Sequence, residues 1–315
     1  MLLLLVVALV AGCGGVDTVD EAAAPEGTEN ADAEFPVEVL SGPVGGGDEV
    51  TIESEPVSII SLSPTATEML FEVGAGDQVV AVDDQSDYPD EAPRTKLSGY
   101  EPNVEAILEY EPDLVIAADD TGDLVANLEK ARVPTLLLPA AADLEESYSQ
   151  LERIGAATGH AEEAEEAVGE LRQDIEDALA AAPDATGTTY FHELSTDYYT
   201  ASGETFIGEV YGLFGLENIA DTSKTGDLYP QLNDEFIVEA DPDLVFLADS
   251  QCCGVKVKDV AKRPGWRQMS AVSDGQVHVV DEDVASRWGP RVVDFVEQVS
   301  DILVEREEQL EGSGG

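Results

Sequence analysis

Short runs of apolar residues alternate along this chain with stretches in which apolar residues recur every three or four positions. The run "VSIISL" at 57–62 is rich in β-branched residues and predicts a buried strand, and "SPTATEMLFEVGAG" after it predicts a helix that ends at glycines. Strands that alternate with helices indicate an α/β fold with mainly parallel sheets flanked by helices. The other predicted strands are 79–82, 114–117, 135–138, 189–194, 218–220, 244–248 and 277–280.

Two helices, 144–158 and 161–182, follow one another without a strand between them. In the second, apolar residues recur with a period near 3.6 and the opposite face is acidic, and Pro183 ends it. A helix of this length is about 30 Å long and could cross a domain. We therefore predict two similar α/β lobes joined by one long backbone helix: an N-terminal lobe at 51–158, a linking helix at 159–183 and a C-terminal lobe at 184–315.

A long-range repeat supports two lobes. The segment "NVEAILEYEPDLVIAADD" begins at Asn103, and "NDEFIVEADPDLVFLADS" begins 130 positions later at Asn233. Each copy reads as a capping Asn, a short helix, a proline that ends it and a buried strand. Two copies at this spacing exclude a solenoid of short repeats. They indicate instead that each lobe contains the same helix and strand.

The first residues predict export. The apolar run "LLLLVVALVAGC" is too short to span a bilayer and is typical of a secretory signal peptide, and its end resembles a bacterial lipobox with Cys13 as the lipidated residue. Because no Lys or Arg precedes this run, either the start lies upstream or the signal is weak. We predict a signal peptide at 1–13 and an acidic flexible tether at 14–50, where few large apolar residues occur.

Charge narrows the class of partner. The chain has 67 acidic and 15 basic residues, a formal net charge of −52. Such a surface repels nucleic acid and anionic membranes, and it repels itself unless salt screens it over roughly 3–10 Å. We interpret the acidity as a sign of a high-salt, halophilic setting, and an acidic exported protein at ordinary salt is the alternative.

Several segments in this order resemble one protein family. They are "VSIISLSPTATEMLFEVGAGDQVVAV", "SDYPDEA", "LSGYEPNVEAILEYEPDLVIA", "YPQLNDEFIVEADPDLVFLA" and "SRWGPRVVDFVEQV". Together they resemble the substrate-binding lipoproteins of bacterial ABC importers for iron–siderophore, haem and cobalamin, the helical-backbone (class III) periplasmic binding proteins. The resemblance implies lobes that move little, a ligand groove between them, and one glutamate per lobe that pairs with arginines of the permease. The matching positions are Glu105 and Glu235; alternatively, each only stabilises the dipole of its own helix.

The resemblance also implies ligand-binding residues. Aromatic side chains line the groove of cobalamin-binding relatives at positions matching Tyr100, Tyr199 and Tyr229, and flat rings suit a corrin or porphyrin plane. Trp288 also lies in a predicted loop, where aromatic residues favour a binding surface. Each of these rings could instead cover its own lobe.

Arg287 and Arg291 follow in the same region. Against an acidic background they are candidates to bind carboxylates or phosphate of the ligand. The alternative is that they only neutralise nearby carboxylates.

Enzyme chemistry finds little support. The three histidines are isolated, and we find no nucleophile elbow, P-loop or dinucleotide fingerprint, so we predict neither catalytic residues nor a protein metal site. Cys252 and Cys253 are adjacent; a vicinal disulfide and two free thiols are both open.

The expected function is therefore capture and delivery. We predict a monomeric receptor, lipid-anchored at the extracytoplasmic face of the membrane, that delivers a small-molecule metal chelate to an ABC permease dimer and its ATPase. The chelate is a cobalamin-type corrinoid, haem or a ferric siderophore, and no cofactor is bound permanently. The alternative is a surface protein that sequesters its ligand without a permease.

Overall fold

The structure, a computed structural model, describes residues 35–223 and 226–313. It begins with an antiparallel hairpin of β1 (Val37–Ser41) and β2 (Asp48–Ile52). The predicted tether at 14–50 therefore differs from the structure from Phe35 onward. Val39 and Ile52 are buried, and Arg153 donates from Nη1 to the carbonyl of Gly42 at 2.8 Å. The two-residue alternation in "VEVLS" is short, and the neighbouring glycines and acidic residues mask it in the composition. Cys13, the signal peptide and the remainder of the tether lie outside the described residues.

The N-terminal lobe contains a five-stranded parallel sheet. Its strands are β3 (Ile59–Leu62), β4 (Val79–Asp83), β5 (Arg94–Leu97), β6 (Leu114–Ala117) and β7 (Thr135–Leu137), in the order β5-β4-β3-β6-β7. Its helices are α1 (Pro64–Glu72), α2 (Val104–Leu108) and α3 (Leu124–Lys130). The polar strand β5, "RTKL", was not predicted because it lies at the edge of the sheet and has only one buried residue.

Two consecutive helices leave this lobe, α4 (Leu144–Thr158) and α5 (Ala161–Ala181), close to the predicted bounds. They pack closely where Gly155 meets Ala164, since a Cβ at Gly155 would lie 2.4 Å from the Ala164 side chain. Among the described helices, α5 matches the predicted linking helix. Its buried face is Ala164, Ala167, Val168, Leu171, Ile175 and Ala178.

The C-terminal lobe contains a four-stranded parallel sheet. Its strands are β8 (Thr189–Glu193), β9 (Glu217–Asn218), β10 (Leu244–Leu247) and β11 (Val277–Val279), in the order β11-β10-β8-β9. Its helices are α6 (Phe206–Leu213), α7 (Asp234–Ala240), α8 (Ser250–Cys253), α9 (Val257–Val260), α10 (Ser270–Ser273), α11 (Glu282–Ser286) and α12 (Val292–Ser313).

The long-range repeat is confirmed in three dimensions. In each lobe the repeat strand, β6 or β10, pairs with the first strand of its sheet, β3 or β8. Asn103 and Asn233 cap α2 and α7 by accepting from Ala106 N at 3.2 Å and Phe236 N at 3.0 Å. Both helices end before a residue of positive φ, Glu111 (51°) and Asp241 (45°), followed by proline. The same local sequence therefore forms the same local structure twice.

Each sheet is covered on both faces. One face of both sheets contributes to a shared apolar core with α1, α4, α5, α6 and α12, and the other faces pack on separate cores within each lobe. The described residues, 35–223 and 226–313, form one compact unit. Across the part of the chain that the structure describes, every helix is too short or too polar to cross a bilayer.

Candidate functional site

The candidate site lies at the carboxyl ends of the parallel strands. In open α/β sheets, ligands bind at the point where strand order reverses, which here is between β3 and β6 in one lobe and β8 and β10 in the other. Strand order therefore identifies one candidate half-site in each lobe.

The N-terminal half-site is a pocket of about 310 Å³. Its lining includes Leu62 and Asp83, the last residues of β3 and β4, and Ala118 and Asp119, which directly follow β6. Burial raises the pKa of the Asp83 carboxyl. The described lining is thus rich in carboxylate and hydroxyl acceptors.

Tyr100 stands at the mouth of this pocket and is 78% exposed. Gly99 brings the loop close to β3, since a Cβ there would lie 2.4 Å from the carbonyl oxygen of Leu62. Glu101 N donates to Ser98 Oγ at 3.1 Å and holds the backbone of the turn. The loop is therefore fixed through its backbone, and the Tyr100 ring extends into solvent.

The C-terminal half-site presents a two-stranded segment that we call the tyrosine ribbon, residues 198–202 and 228–232. Tyr199 pairs with Gln231, Thr200 N donates to the carbonyl of Pro230 at 3.0 Å, and Leu232 N donates to the carbonyl of Tyr198 at 3.0 Å. Because side chains alternate along a strand, Tyr199 and Tyr229 lie on the same face of the ribbon. They are 45% and 50% exposed. Neither lines the pocket that Tyr100 lines.

A segment of the C-terminal lobe reaches the N-terminal pocket. We call residues 283–291 the strap. Trp288 in the strap lines the pocket, donates from Nε1 to Gln150 Oε1 at 2.8 Å, and accepts at its carbonyl from Ser147 Oγ. Both partners belong to α4, so the strap connects the two lobes. The structure thus brings Tyr100, Arg287 and Trp288 together.

The two strap arginines meet a buried carboxylate. Arg287 Nη1 donates to Glu68 Oε1 at 2.8 Å, and Arg291 donates from Nη2 and Nε to the same carboxylate at 2.6 and 3.0 Å. This hydrogen bonding raises the pKa of Arg291. Arg287 also bonds Asp87 at 3.0 Å and Asp283 at 2.9 Å. Both guanidinium groups are therefore engaged within the protein, as in the alternative interpretation of these residues, and ligand binding by them stays a prediction.

A second ion pair, which the sequence analysis missed, lies under the tyrosine ribbon. Arg263 makes two parallel bonds to the fully buried Glu193, at 2.5 and 2.6 Å. Asp249, two residues after β10, is also fully buried, and both its oxygens lack a hydrogen-bond partner within the described residues. Burial, with the neighbouring Glu193 charge, raises the pKa of Asp249 to about 7. Hydrophobic strand periodicity could not reveal the pair, because Glu193 ends a strand and Arg263 lies 70 positions away.

The two repeat glutamates occupy matching exposed positions. Glu105 and Glu235 lie in the first turns of α2 and α7, after the capping asparagines. Neither forms a salt bridge within residues 35–223 and 226–313. Both carboxylates are thus accessible to a partner, and docking through them stays a prediction.

The cysteines and histidines offer little chemistry. Cys252 and Cys253 are free thiols at the exposed end of α8, and their pairing stays a prediction. His192 is fully buried, its Nδ1 lies 2.9 Å from the hydroxyl of Tyr211, and burial lowers its pKa to about 3. Over the described ranges, no group of three or more His, Cys, Asp or Glu could hold a metal ion.

Known proteins share this sequence and fold. A family model described as periplasmic binding protein matches residues 59–284. An uncharacterized ABC transporter substrate-binding lipoprotein of Bacillus subtilis is 33% identical over 311 residues, 96% of this chain and 95% of that protein. A cobalamin-binding protein of Halobacterium salinarum is 32% identical over 280 residues, 84% of this chain and 74% of that protein.

Solved structures of other proteins have the same fold. The periplasmic vitamin B12 binding protein of Vibrio cholerae superposes with a TM-score of 0.66 at 28% identity, covering 80% of this chain and 98% of that one. The periplasmic heme binding protein of the same species, at 21% identity, shares the fold with a TM-score of 0.70 over 78% of this chain and 98% of that one. The matched residues, the full-length relatives and the two parallel-sheet lobes agree, and the chain belongs to the periplasmic binding protein family.

Proposed function

We propose that this protein is an extracytoplasmic receptor that binds a cobalamin-type corrinoid and delivers it to an ABC import permease. The observation that carries the choice of ligand is the charge of the candidate site. Exposed tyrosine rings in both lobes provide apolar faces, and the polar groups that line the pocket beside Tyr100 include three carboxylates. This combination suits a flat ligand whose edge carries hydrogen-bond donors.

The carboxylates of the pocket disfavour an anionic ligand. Asp83, Asp119 and Asp283 line it, and the cation among its described lining residues, Arg287, is already bonded to Glu68, Asp87 and Asp283. Haem carries propionate carboxylates, which would meet like charge here without a free guanidinium. The peripheral carboxamides of a corrinoid donate hydrogen bonds to carboxylates. The cobalamin-binding relative of Halobacterium salinarum supports the same choice.

Docking to a permease is the second part of the proposal. Glu105 and Glu235 occupy equivalent, exposed positions on two lobes that repeat one another, so a permease dimer could present an arginine to each. Bidentate bonds between carboxylate and guanidinium would favour one register of the complex. The partner ATPase would supply the transport energy. Lipidation at Cys13 would hold the monomeric receptor at the membrane, in agreement with the lipoprotein relative of Bacillus subtilis.

A fluorescence titration tests the ligand. The chain has two tryptophans, of which Trp266 is fully buried and Trp288 lines the pocket. We expect cyanocobalamin to quench the emission with a Kd below about 10 µM, and haemin and carboxylate siderophores to bind more weakly. Trp288→Phe is the control, since it should remove the part of the signal that comes from the pocket. If no member of the panel binds below about 10 µM, the proposed ligand class is wrong.

A second experiment separates delivery from sequestration. The receptor carrying Glu105→Lys and Glu235→Lys should bind cyanocobalamin as the wild type does and no longer support its uptake by cells. A receptor that only sequesters the ligand would be unaffected by these changes.

Titrations at high and low NaCl also test the proposed high-salt setting, because a net charge of −52 destabilises the fold where salt does not screen it.

A further inference from the structure

The loop that presents Tyr199 is closed on itself. It runs from Leu194, after β8, to Tyr199 at the start of the tyrosine ribbon. Leu194 N donates to the carbonyl of Tyr199 at 2.9 Å, and Tyr198 N donates to the carbonyl of Ser195 at 2.9 Å. Tyr198 has a positive φ of 63°, a conformation that a side chain other than glycine adopts at a cost. The surroundings of Tyr198 must therefore hold it there.

Arg263 holds both ends of this loop. Its guanidinium is bonded in the two-pronged arrangement to Glu193, immediately before the loop, at 2.5 and 2.6 Å. The same group lies 5.5 Å from the centre of the Tyr198 ring and 4.5 Å from that of Trp266, and these two rings stack on each other at 5.8 Å. One side chain thus contacts the residue before the loop, Glu193, and a residue near the end of the loop, Tyr198.

The same cluster reaches the helix that carries Glu235. Trp266 Nε1 donates to Asp234 Oδ1 at 2.9 Å, and Asp234 is the first residue of α7. The second strand of the tyrosine ribbon ends at Leu232, directly before Asn233, the cap of α7. The ribbon and the first turn of α7 therefore share one set of contacts.

The N-terminal lobe lacks this support. Leu62 pairs with Ala117 as Glu193 pairs with Leu247, so Leu62 occupies the matching strand position, and it belongs to the apolar core of its lobe. Within the described residues, the ring of Tyr100 has no aromatic or cation–π partner. The ion pair under the ribbon is therefore not required by the fold itself.

We propose that Arg263 is a positioning residue for ligand binding, which acts by holding the Tyr199–Tyr229 face of the ribbon in place before the ligand arrives. This role rests on the proposed corrinoid-binding function. A preorganised ring contributes more to affinity, because binding does not have to order the loop that bears it. Arg263 itself lies beneath the ribbon and acts through Tyr198 and Tyr199.

A double-mutant cycle tests this role. We expect Arg263→Gln to weaken cyanocobalamin binding about tenfold, and Arg263→Lys, which keeps the charge without the planar fork, to weaken it less. In a background that carries both Tyr199→Ala and Tyr229→Ala, Arg263→Gln should change the Kd by less than about twofold, because both rings of the face that it holds are gone. In a Tyr100→Ala background it should retain its full effect, because that ring belongs to the other lobe. Equal effects in both backgrounds, or an unchanged Kd in Arg263→Gln, would overturn the proposal.

A folding defect can be distinguished from a binding defect. Arg263→Gln leaves the buried Glu193 unpaired, and the variant could fail to fold for that reason. In that case the double variant Glu193→Gln, Arg263→Gln, which has no unpaired charge, takes the place of Arg263→Gln in the cycle. The same changes in Kd are expected, and the same results would contradict the proposal. Hydrogen exchange without ligand gives an independent readout. Arg263→Lys should lower the protection of backbone amides against exchange at 194–199 and in the first turn of α7, and it should leave protection at 98–103 unchanged. Equal changes in all three segments, or no change in any of them, would contradict the proposal. Failure of the wild type to bind cyanocobalamin would instead refute the proposed function.

Discussion

The two lobes have the same scaffold and different half-sites. Both sheets place their first strand centrally and pair it with the repeat strand, β6 or β10. At the carboxyl ends, however, the N-terminal lobe forms an acidic pocket with an exposed Tyr100, and the C-terminal lobe forms a ribbon supported by a buried ion pair. The difference shows that the order of the strands determines where a site lies, and that the last residues of the strands together with the loops beyond them determine what it contains.

The contrast is sharpest at one pair of equivalent strand positions. Leu62 packs in an apolar core, and Glu193 in the same strand register binds Arg263. A buried ion pair is rarely more stabilising than an apolar pair, because both charges lose their hydration. Its advantage is directional, since two parallel hydrogen bonds fix an orientation that an apolar contact does not.

Breaking the connection between the lobes should have the largest effect. Glu68→Ala leaves the buried guanidinium groups of Arg287 and Arg291 without their shared carboxylate, and we expect it to lower the free energy of unfolding by about 3–5 kcal/mol. Denaturant titration at high salt measures this. Glu145→Ala is the control: it breaks the exposed pair with Arg172 and should have an effect of at most about 1 kcal/mol. Similar losses in the two variants would contradict a special role of the strap.

Tyr199 in the C-terminal lobe and Tyr100 in the N-terminal lobe should contribute unequally to affinity for the ligand. Tyr199→Ala should weaken cyanocobalamin binding by about 10–100-fold, because its ring is less exposed, at 45%, and the neighbouring Tyr198 is held by Arg263 and Trp266 in the free protein. Tyr100→Ala should weaken it less, about 3–10-fold, because a ring that is 78% exposed must be ordered by the ligand. Isothermal titration of both variants measures the ratio. An equal or reversed ranking would mean that support of the ribbon does not improve binding.

A carboxyl in the C-terminal lobe should make stability depend on pH. The pKa of Asp249 is raised to about 7 in the fold, from about 4 in an unfolded chain, so its favourable contribution is complete below about pH 4 and is lost as the pH rises through 7. Asp249→Asn cannot ionise. The free energy of unfolding of this variant, relative to that of the wild type, should therefore rise by on the order of 2 kcal/mol from pH 5 to pH 8.

Urea unfolding at the two pH values measures this gain. The matched control is Asp119→Asn, at the exposed equivalent position in the N-terminal lobe, which should show no such difference. A pH-independent effect of Asp249→Asn would contradict ionisation beside Glu193.

The smallest effect is expected at the thiols. Partial burial of its sulfur, with Cys253 and Glu282 beside it, raises the pKa of the Cys252 thiol to about 12. Alkylation of Cys252 in the Cys253→Ser variant at pH 8, followed by peptide mapping, should therefore be at least about tenfold slower than that of free cysteine. The corresponding positions in the N-terminal lobe are Gly122 and Asp123, so the two thiols do not belong to the features that the lobes have in common. The double change to serine should leave the Kd for cyanocobalamin within about twofold. Loss of binding would place the thiols in the site.

Local patterns in the sequence were sufficient for most of the fold. The strand predicted at 114–117 and the helix predicted at 144–158 match β6 and α4, because apolar runs and capping residues act over a few positions. The contacts that organise the site are not local. Glu68 is separated from Arg291 by 223 positions. Hydrophobic periodicity does not reveal such a pair, so the sequence left open whether these arginines bind the ligand or neutralise nearby carboxylates.

The strap has a mechanical consequence. The lobes are joined through α4 and α5, and joined again where residues 283–291 bind Glu68, Ser147 and Gln150. The lobes also share one apolar core, and a joint that is fastened at two places and packed between them resists twisting and sliding. Moving the lobes apart would have to strain the strap and this core together, so release of cargo would require a partner that pulls on both lobes.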